Sequence, residues 1–215
     1  MSVQIAPSLL AADFLHLDRD VRMLNENADI IHLDVMDGTF VPNMSFGFSV
    51  VDAVSKIATK PKDVHMMVVH PERWIDRFAQ DKVEMLSFHL EAARCQTGKY
   101  LAKIRSLGIK AGLAIDPDVP VKKLFPYIGK ADYFLIMSVF AGFGGQAFIP
   151  ETFDRVRKLK AEIRRRGLKC KIEVDGGVGL SNAKELHKAG VDIAVAGSSV
   201  FKSEDPAATI AAMRG

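Results

Sequence analysis

The feature that most constrains the fold is a regular alternation of short apolar runs with longer amphipathic stretches along the 215 residues. Short apolar runs between turn residues are typical of buried parallel strands, and apolar residues spaced three and four apart are typical of helices. We predict strands near residues 4–9, 30–35, 63–68, 84–89, 110–115, 132–138, 171–175 and 192–196. We predict helices near residues 14–26, 47–58, 72–80, 96–106, 120–128, 151–166, 180–189 and 206–214.

Eight strand–helix repeats predict an α/β protein with a single (β/α)8 TIM barrel, because that fold follows each of its parallel strands with a helix. An open, doubly wound sheet is the alternative, but it usually has fewer strands in a chain of this length. No Pro-, Gly- or Ser-rich linker divides the sequence. We therefore expect one domain over residues 1–215.

Composition and charge argue against several classes of partner. The net charge of +3 is too small to predict binding to nucleic acid or to an anionic membrane. Cys95 and Cys170 lie far apart without metal-ligand spacing, as expected in a reducing cytoplasm. No apolar stretch approaches the length of a membrane span. We expect a soluble cytoplasmic protein.

Unusual polar residues gather near the carboxyl ends of the predicted strands. In "IIHLDVMDG", His32 and Asp34 share one strand face, "DVHMMV" adds His65, and "IEVDGG" adds Asp175. The carboxyl ends of barrel strands meet at one mouth, so these four side chains are expected to lie close together. Two imidazoles and two carboxylates suit one divalent metal ion, Zn, Fe, Mn or Co. A buried His–Asp hydrogen-bond network without a metal remains the alternative, and His89 is either its neighbour or a core histidine.

Three glycine-rich stretches predict a phosphate site at the same mouth. "AGFGGQ" at 141–146, "DGGVG" at 175–179 and "AGSS" at 196–199 follow the sixth, seventh and eighth predicted strands. Glycines let backbone N–H groups approach an oxyanion, and barrel phosphate sites commonly use the loops after the last two strands. One such cluster is consistent with a tight turn only, but three on neighbouring strands favour phosphate binding.

A metal, two carboxylates and a phosphate site together indicate proton transfer beside a carbonyl group. A bound cation stabilises the oxyanion of an enediolate, which makes the carbon acid easier to deprotonate. Asp34 and Asp175 on opposite faces of the carbon would invert its configuration, although the sequence does not show that they face each other. Three methionines, Met36, Met67 and Met137, are either core residues or an apolar roof that excludes water.

Five stretches of the sequence resemble the ribulose-phosphate 3-epimerase family, and they occur in the family's order from about residue 5 to residue 201. They are "IAPSLLAADF", "IHLDVMDGTFVPN", "DVHMMV", "GFGGQAFIP" and "EVDGGV". The resemblance implies a barrel of the ribulose-phosphate-binding type and an isomerase of the pentose phosphate pathway. Such an enzyme inverts C3 of D-ribulose 5-phosphate to give D-xylulose 5-phosphate through a metal-stabilised enediolate. The resemblance also implies a homo-oligomer and a phosphorylated ketose as substrate.

The resemblance also implies roles for individual residues. The metal ligands would be His32, Asp34, His65 and Asp175, and Asp34 and Asp175 would be the two acid/base residues. The substrate-binding residues would be Ser8, His65, Met36, Met67, Met137, Gly142, Phe143, Gly144, Gly145, Asp175, Gly176, Gly177, Gly197 and Ser198. Among them, Ser8 and His65 would touch the sugar, the methionines would cap the enediolate, and the glycines with Ser198 would hold the phosphate.

Two departures from the family pattern concern the loops near the phosphate site. Phe140 and Ala141 stand where the family usually has Asn-Pro or Asp-Pro, and "AIDPDVP" replaces a more usual Asn-Pro-x-Thr-Pro. Without the fixed φ of proline, the loop is expected to be less rigid or differently shaped. The alternatives are a D-allulose 6-phosphate 3-epimerase and a non-catalytic sugar-phosphate sensor. The related decarboxylases and aldolases need a lysine that "DVHMMV" lacks.

Overall fold

Eight parallel strands form one sheet in the computed structural model, which describes residues 2–215. The sheet order is β1-β8-β7-β6-β5-β4-β3-β2, and a parallel bridge between Ser8 and His32 closes it into a barrel. The prediction of a (β/α)8 barrel is confirmed, and the alternative prediction of an open, doubly wound sheet is wrong. The strands are β1 Gln4–Pro7, β2 Ile31–Met36, β3 Lys62–Met67, β4 Met85–His89, β5 Lys110–Ile115, β6 Tyr133–Met137, β7 Lys171–Asp175 and β8 Ile193–Ala196.

Helices surround the barrel and bury one face of each amphipathic stretch against it. In the longest helix, Val156, Leu159 and Ile163 are buried at spacings of three and four residues, as a helix that covers a sheet requires. The helices are α1 Leu17–Asn27, α2 Phe48–Ile57, α3 Ile75–Gln80, α4 Leu90–Ala93, α5 Thr97–Ser106, α6 Thr152–Arg165, α7 Ala183–Ala189, α8 Ser198–Phe201 and α9 Pro206–Arg214. The short helices α4 and α8 were not predicted.

Three predicted helices differ from the observed backbone; one of them is the stretch near 72–80, where a 3-10 helix, Pro71–Arg73, precedes α3. The stretch near 120–128 is a 3-10 helix, Val121–Tyr127, with Pro126 inside it. Proline has no N–H to donate and clashes with the preceding turn, so an α-helix cannot continue there. The first predicted helix begins as a 3-10 turn, Phe14–His16, and becomes α-helical only at Leu17.

The alternation of side chains along each strand separates an outer core from the barrel interior. On β2, Ile31 and Leu33 belong to the apolar core under the helices, while His32 and Asp34 point inward, and all four are buried. Inside the barrel, an apolar cluster packs around Tyr133 and supports the polar residues; its other members are Ala6, Ile30, Met85, Ile193 and Val195. The buried polar residues of β2 therefore lie on the interior face of that strand.

The longest α-helix within residues 2–215 is α6, which has 14 residues. A helix that spans a lipid bilayer needs about 20 predominantly apolar residues. None of the helices in the described part of the chain is both long enough and apolar enough to cross a membrane.

Gly112 of β5 leaves the interior space that Tyr133 fills. A Cβ at Gly112 would lie 2.6 Å from Cε2 of Tyr133 and 2.7 Å from Cβ of Ser87. Gly112→Ala should therefore overpack the barrel and lower the free energy of unfolding by about 1–3 kcal/mol, measured by urea denaturation.

Gly98→Ala in α5 is the matched control. Among the described residues, no atom outside its own helix backbone and chain neighbours lies within 4 Å of a Cβ at Gly98. Alanine is favoured over glycine in a helix by roughly 0.5–1 kcal/mol, so this variant should be as stable as the wild type or more stable. Equal stability of Gly112→Ala and the wild type would contradict the close packing around Tyr133.

Candidate active site

The structure brings the four predicted metal ligands together inside the barrel mouth. His32 and Asp34 come from β2, His65 from β3, and Asp175 from the end of β7. The register of β2 and β3 places Asp34 beside His65. One ligand atom from each of the four side chains lies within 4.8 Å of the other three. Residues that are far apart in the chain thus form one cluster.

The distances within this cluster fit a divalent cation. Oδ1 of Asp34 lies 3.3 Å from Nε2 of His32 and 3.1 Å from Nδ1 of His65. Oδ2 of Asp175 lies 4.0 Å and 3.8 Å from the same two nitrogens. Ligands of a tetrahedral ion with bonds of about 2.1 Å are separated by about 3.4 Å, which falls within this spread.

The hydrogen bonds of His32 also fit a cation. Its Nδ1 lies 2.8 Å from Oδ2 of Asp63 and donates to it. Burial would lower the pKa of His32, but the carboxylates of Asp34 and Asp63 outweigh it and raise this pKa well above its ordinary value. Nε2 of His32 is buried and has no hydrogen-bond partner among residues 2–215. A buried nitrogen that faces two carboxylates needs positive charge beside it, which either a second proton on the ring or a bound cation supplies. The donor set and this orphaned nitrogen therefore suit a metal ion.

The two carboxyl groups of the cluster have different pKa values. Burial would raise the pKa of Asp34, but His32 and His65 outweigh it and hold the pKa well below its ordinary value. Burial, together with the charge of Asp34, raises the pKa of Asp175 to about 7. One carboxyl group is thus ionised near neutral pH while the other can carry a proton. Such a separation is the arrangement that acid/base chemistry requires.

A cleft opens above the cluster, and only part of the cluster reaches it. Asp34 and Asp175 line the cleft. The side chains of His32 and His65 are fully buried, whereas that of Asp175 is 15% exposed. A group that exchanges a proton with a bound molecule must touch it, so the two carboxyl groups are the members placed for that task.

The predicted substrate-binding residues converge on the same cleft, with His65 as the exception. Ser8 also donates a hydrogen bond of 2.5 Å from Oγ to Oδ2 of Asp34, which orients that carboxylate. The predicted residues that line the cleft are Ser8, Met36, Met67, Met137, Gly142, Phe143, Gly144, Gly145, Asp175, Gly176, Gly177, Gly197 and Ser198. His65 lies buried beneath them, so its contact with the sugar stays a prediction.

Gly177 brings two of the glycine-rich loops into contact. Its φ of +62° is a left-handed conformation, and a Cβ there would lie 2.6 Å from the backbone N of Phe148. Only glycine fits such a position without backbone movement. The loop after β7 can therefore pack directly against the segment that follows β6, and together they form one wall of the cleft.

The family model described as "Ribulose-phosphate 3 epimerase family" matches residues 4–201 of this chain. The chain belongs to the ribulose-phosphate 3-epimerase family. A relative from Synechocystis named ribulose-phosphate 3-epimerase is 42% identical over 215 residues, which is 99% of this chain and 94% of the relative. Another of that name from Escherichia coli is 41% identical over 212 residues, 98% of this chain and 94% of the relative. The resemblance in the sequence motifs is confirmed.

Solved structures of other proteins share the fold at low sequence identity. KGPDC from Streptococcus mutans has a TM-score of 0.73 at 11% identity and covers 99% of this chain and 96% of its own. A mutant tryptophan synthase alpha-subunit from Pyrococcus furiosus has a TM-score of 0.71 at 17% identity, with the same coverage. These structures support the barrel fold.

The two departures from the usual pattern of the epimerase family contact each other. The N–H of Ala141, at the position where the resemblance led us to expect proline, donates to Oδ1 of Asp116 in the "AIDPDVP" stretch at 3.2 Å. On the other side, Nδ2 of Asn43 donates to the carbonyl of Gly142 at 2.7 Å. Hydrogen bonds from the loops after β2 and β5 thus hold this loop where proline is absent.

Three buried polar residues beneath the cluster were missed by the sequence analysis. Asp63 accepts hydrogen bonds from His32 and, at 2.7 Å, from the hydroxyl of Tyr133. Glu173 is fully buried beside them, and burial with the charge of Asp63 raises its pKa well above the ordinary value. Asp63 and Glu173 lie two residues before His65 and Asp175, so the strand alternation that identified the ligands would have found them too.

Glu173→Gln should stabilise the protein increasingly as the pH rises. The raised pKa means that folded wild type keeps a proton that the unfolded chain releases above 4.5. The wild-type free energy of unfolding therefore falls as the pH rises through this range, whereas glutamine has no proton to lose. Urea denaturation of both proteins between about pH 5 and about pH 8 measures the difference.

The matched control is Glu204→Gln, at an exposed glutamate. Its difference from the wild type should stay constant over the same pH range. A constant difference for Glu173→Gln as well would show that Glu173 is ionised in the folded protein, contrary to this assignment.

Proposed function

We propose that this protein inverts the configuration at C3 of a phosphorylated ketose, converting D-ribulose 5-phosphate to D-xylulose 5-phosphate. The observation that carries the proposal is that Asp34 and Asp175, from different strands, are the two carboxyl groups of the buried cluster that line the cleft. The relatives named ribulose-phosphate 3-epimerase support this choice of substrate.

The two carboxyl groups divide the proton transfer between them. The Asp34 carboxylate removes the proton from C3, and the C–H electron pair moves toward the C2 carbonyl oxygen to give an enediolate. Asp175 then donates its proton to the opposite face of C3, and the carbonyl re-forms. The low pKa of Asp34 and the pKa of Asp175, which burial raises to about 7, support this assignment in the forward direction.

One divalent cation would be held by the ring nitrogens and carboxylate oxygens that converge in the cluster. The residues that provide them are His32, Asp34, His65 and Asp175. When bound, such an ion supplies positive charge near the oxygen atoms on which the negative charge of the enediolate develops. The mixed nitrogen and oxygen donors suit Zn, Fe, Mn or Co. The chain's own contribution is to hold these ligands at the bottom of the cleft, away from bulk water.

The rest of the cleft supports binding of a phosphorylated sugar. Backbone around the glycines of the loops after β6, β7 and β8 would hold the phosphate, together with Ser198. Three methionines of the lining are buried and apolar; they are Met36, Met67 and Met137. Their side chains would exclude water from the reacting carbon, which strengthens the electrostatic interactions there.

The proposed substrate is tested by measuring turnover of D-ribulose 5-phosphate and of D-allulose 6-phosphate side by side. Zn, Mn, Fe or Co is added to the protein in each assay. We expect the higher kcat/KM with D-ribulose 5-phosphate. The reverse order would make the protein a D-allulose 6-phosphate 3-epimerase. Binding of both sugars without turnover of either would instead support a non-catalytic sensor.

Asp34→Asn and Asp175→Asn should each lower kcat by about 10²- to 10⁴-fold, because each removes one acid/base group. With D-ribulose 5-phosphate in D2O, Asp175→Asn should still exchange the C3 proton through Asp34 but should not invert the carbon. Asp34→Asn should lose both exchange and inversion. NMR of the sugar reports both processes.

Asp118→Asn, at an exposed aspartate in the loop after β5, is the matched control and should keep wild-type kcat. Near-normal inversion by either Asp34→Asn or Asp175→Asn would contradict the two-carboxylate mechanism.

Gly144→Asp should raise KM for the phosphorylated sugar by about tenfold or more, because it places a negative charge beside the proposed phosphate site. Among the described residues, nothing outside its chain neighbours lies within 4 Å of a Cβ at Gly144, so a side chain fits there. Gly144→Asn has nearly the same shape without the charge and should raise KM far less. Equal KM values for the two variants would place the phosphate elsewhere.

A further inference from the structure

His65 has a second buried histidine as its neighbour on the side away from the carboxylates. Nε2 of His65 lies 2.8 Å from Nε2 of His89, and both residues are fully buried. Two neutral imidazoles at this distance share one hydrogen, since one nitrogen must donate it and the other must accept it. The tautomer of either ring therefore determines the tautomer of the other.

The proposed cation site selects one of the two arrangements. Nδ1 of His65 faces Asp34 at 3.1 Å and Asp175 at 3.8 Å, so this nitrogen is the one that would bind a cation. A bound Nδ1 cannot carry a hydrogen, which leaves the hydrogen of His65 on Nε2. Nε2 of His89 must then accept it, and the hydrogen of His89 must lie on Nδ1.

Glu91 stands where that hydrogen would point. Nδ1 of His89 lies 3.8 Å from Oε2 of Glu91, and both atoms are buried without a hydrogen-bond partner in the described part of the chain. The other oxygen of Glu91 accepts the N–H of Asp116 at 2.9 Å, which holds the carboxylate in place. A small side-chain rotation would bring the two orphaned atoms into a hydrogen bond, but only if Nδ1 carries the hydrogen.

We propose that His89 and Glu91 form a hydrogen-bonded relay that holds His65 in the tautomer that binds a divalent cation. This inference rests on the cation site in the proposed function. His89 and Glu91 act through His65 and are positioning residues. The relay satisfies three buried groups with one arrangement of hydrogens: His65 donates to His89, and His89 donates to Glu91.

A second cation site is the competing explanation for the same atoms. His89, Glu91 and Asp116 each offer a ligand atom within 4.8 Å of the other two. A cation on Nδ1 of His89 would force the hydrogen of His89 onto Nε2, and His65 would then have to keep its own hydrogen on Nδ1. Occupation of this site would therefore prevent His65 from binding the first cation. The relay avoids that conflict.

His89→Leu tests the relay by removing the acceptor for the Nε2 hydrogen of His65. Zn²⁺ affinity of the full-length protein, measured by competition with a chromophoric chelator, should fall about 10- to 100-fold. His89→Gln should restore most of the affinity, because its amide oxygen can accept the same hydrogen. Unchanged affinity in His89→Leu would overturn the relay.

The chain offers a matched control with the same His-x-Glu spacing on its surface. Nδ1 of His70 lies 3.2 Å from Oε1 of Glu72, and both side chains are exposed. His70→Leu should leave Zn²⁺ affinity unchanged. A fall equal to that of His89→Leu would show a general effect of losing a histidine and would overturn the relay.

Nitrogen-15 NMR of the histidine rings tests the tautomer in the wild-type protein and does not depend on a variant that folds. In the Zn²⁺-loaded protein, we expect the hydrogen of His89 on Nδ1 and that of His65 on Nε2. A hydrogen on Nε2 of His89 would overturn the relay while leaving the cation site standing. Wild-type protein that binds none of the four metals would overturn the cation site, and the relay with it.

Discussion

The balance of buried negative charge inside the barrel is the constraint on which the rest of the site depends. Four carboxyl groups lie around His32 and His65 in a space from which water is largely excluded; they are Asp34, Asp63, Glu173 and Asp175. An unpaired buried carboxylate is unfavourable, so each group must lose its charge or find a partner. Asp63 accepts hydrogen bonds from His32 and Tyr133, Glu173 keeps its proton, and Asp34 is stabilised by both histidines.

Asp175 completes that balance, and its position would allow the proposed cation and the proposed proton carrier to share one site. It lies at the end of β7, partly exposed to the cleft, with a pKa that burial raises to about 7. Such a group can give up its proton to a substrate or become a ligand for positive charge. The negative charge of Asp34, which would attract a cation, thus also helps burial to raise the pKa of Asp175 into the range that acid/base chemistry uses.

The surrounding loops are held by contacts that complement this interior. Arg155 of α6 donates to the carbonyl oxygens of Met137 and Asp116, each at 2.7 Å, and so connects the ends of β5 and β6. Asp116 in turn accepts the N–H of Ala141. The side of the cleft proposed to hold the phosphate is therefore tied to the ends of β5 and β6.

The amino-acid sequence by itself determined the barrel and the composition of the polar cluster. Strand alternation is a local rule, and the carboxyl ends of the strands meet at one mouth in any such barrel. The same alternation also predicts inward-facing side chains for Asp63 and Glu173, which lie one pair of residues earlier on their strands than His65 and Asp175. Pro126 is also visible in the sequence, and it is the reason that the helix predicted near 120–128 is a 3-10 helix. Only the tertiary structure decided which atoms meet: the contact of His65 with His89, and that of Ala141 with Asp116, join residues on different strands or loops. Such contacts depend on strand register and loop path, which are set by packing of the whole chain rather than by any short stretch of it.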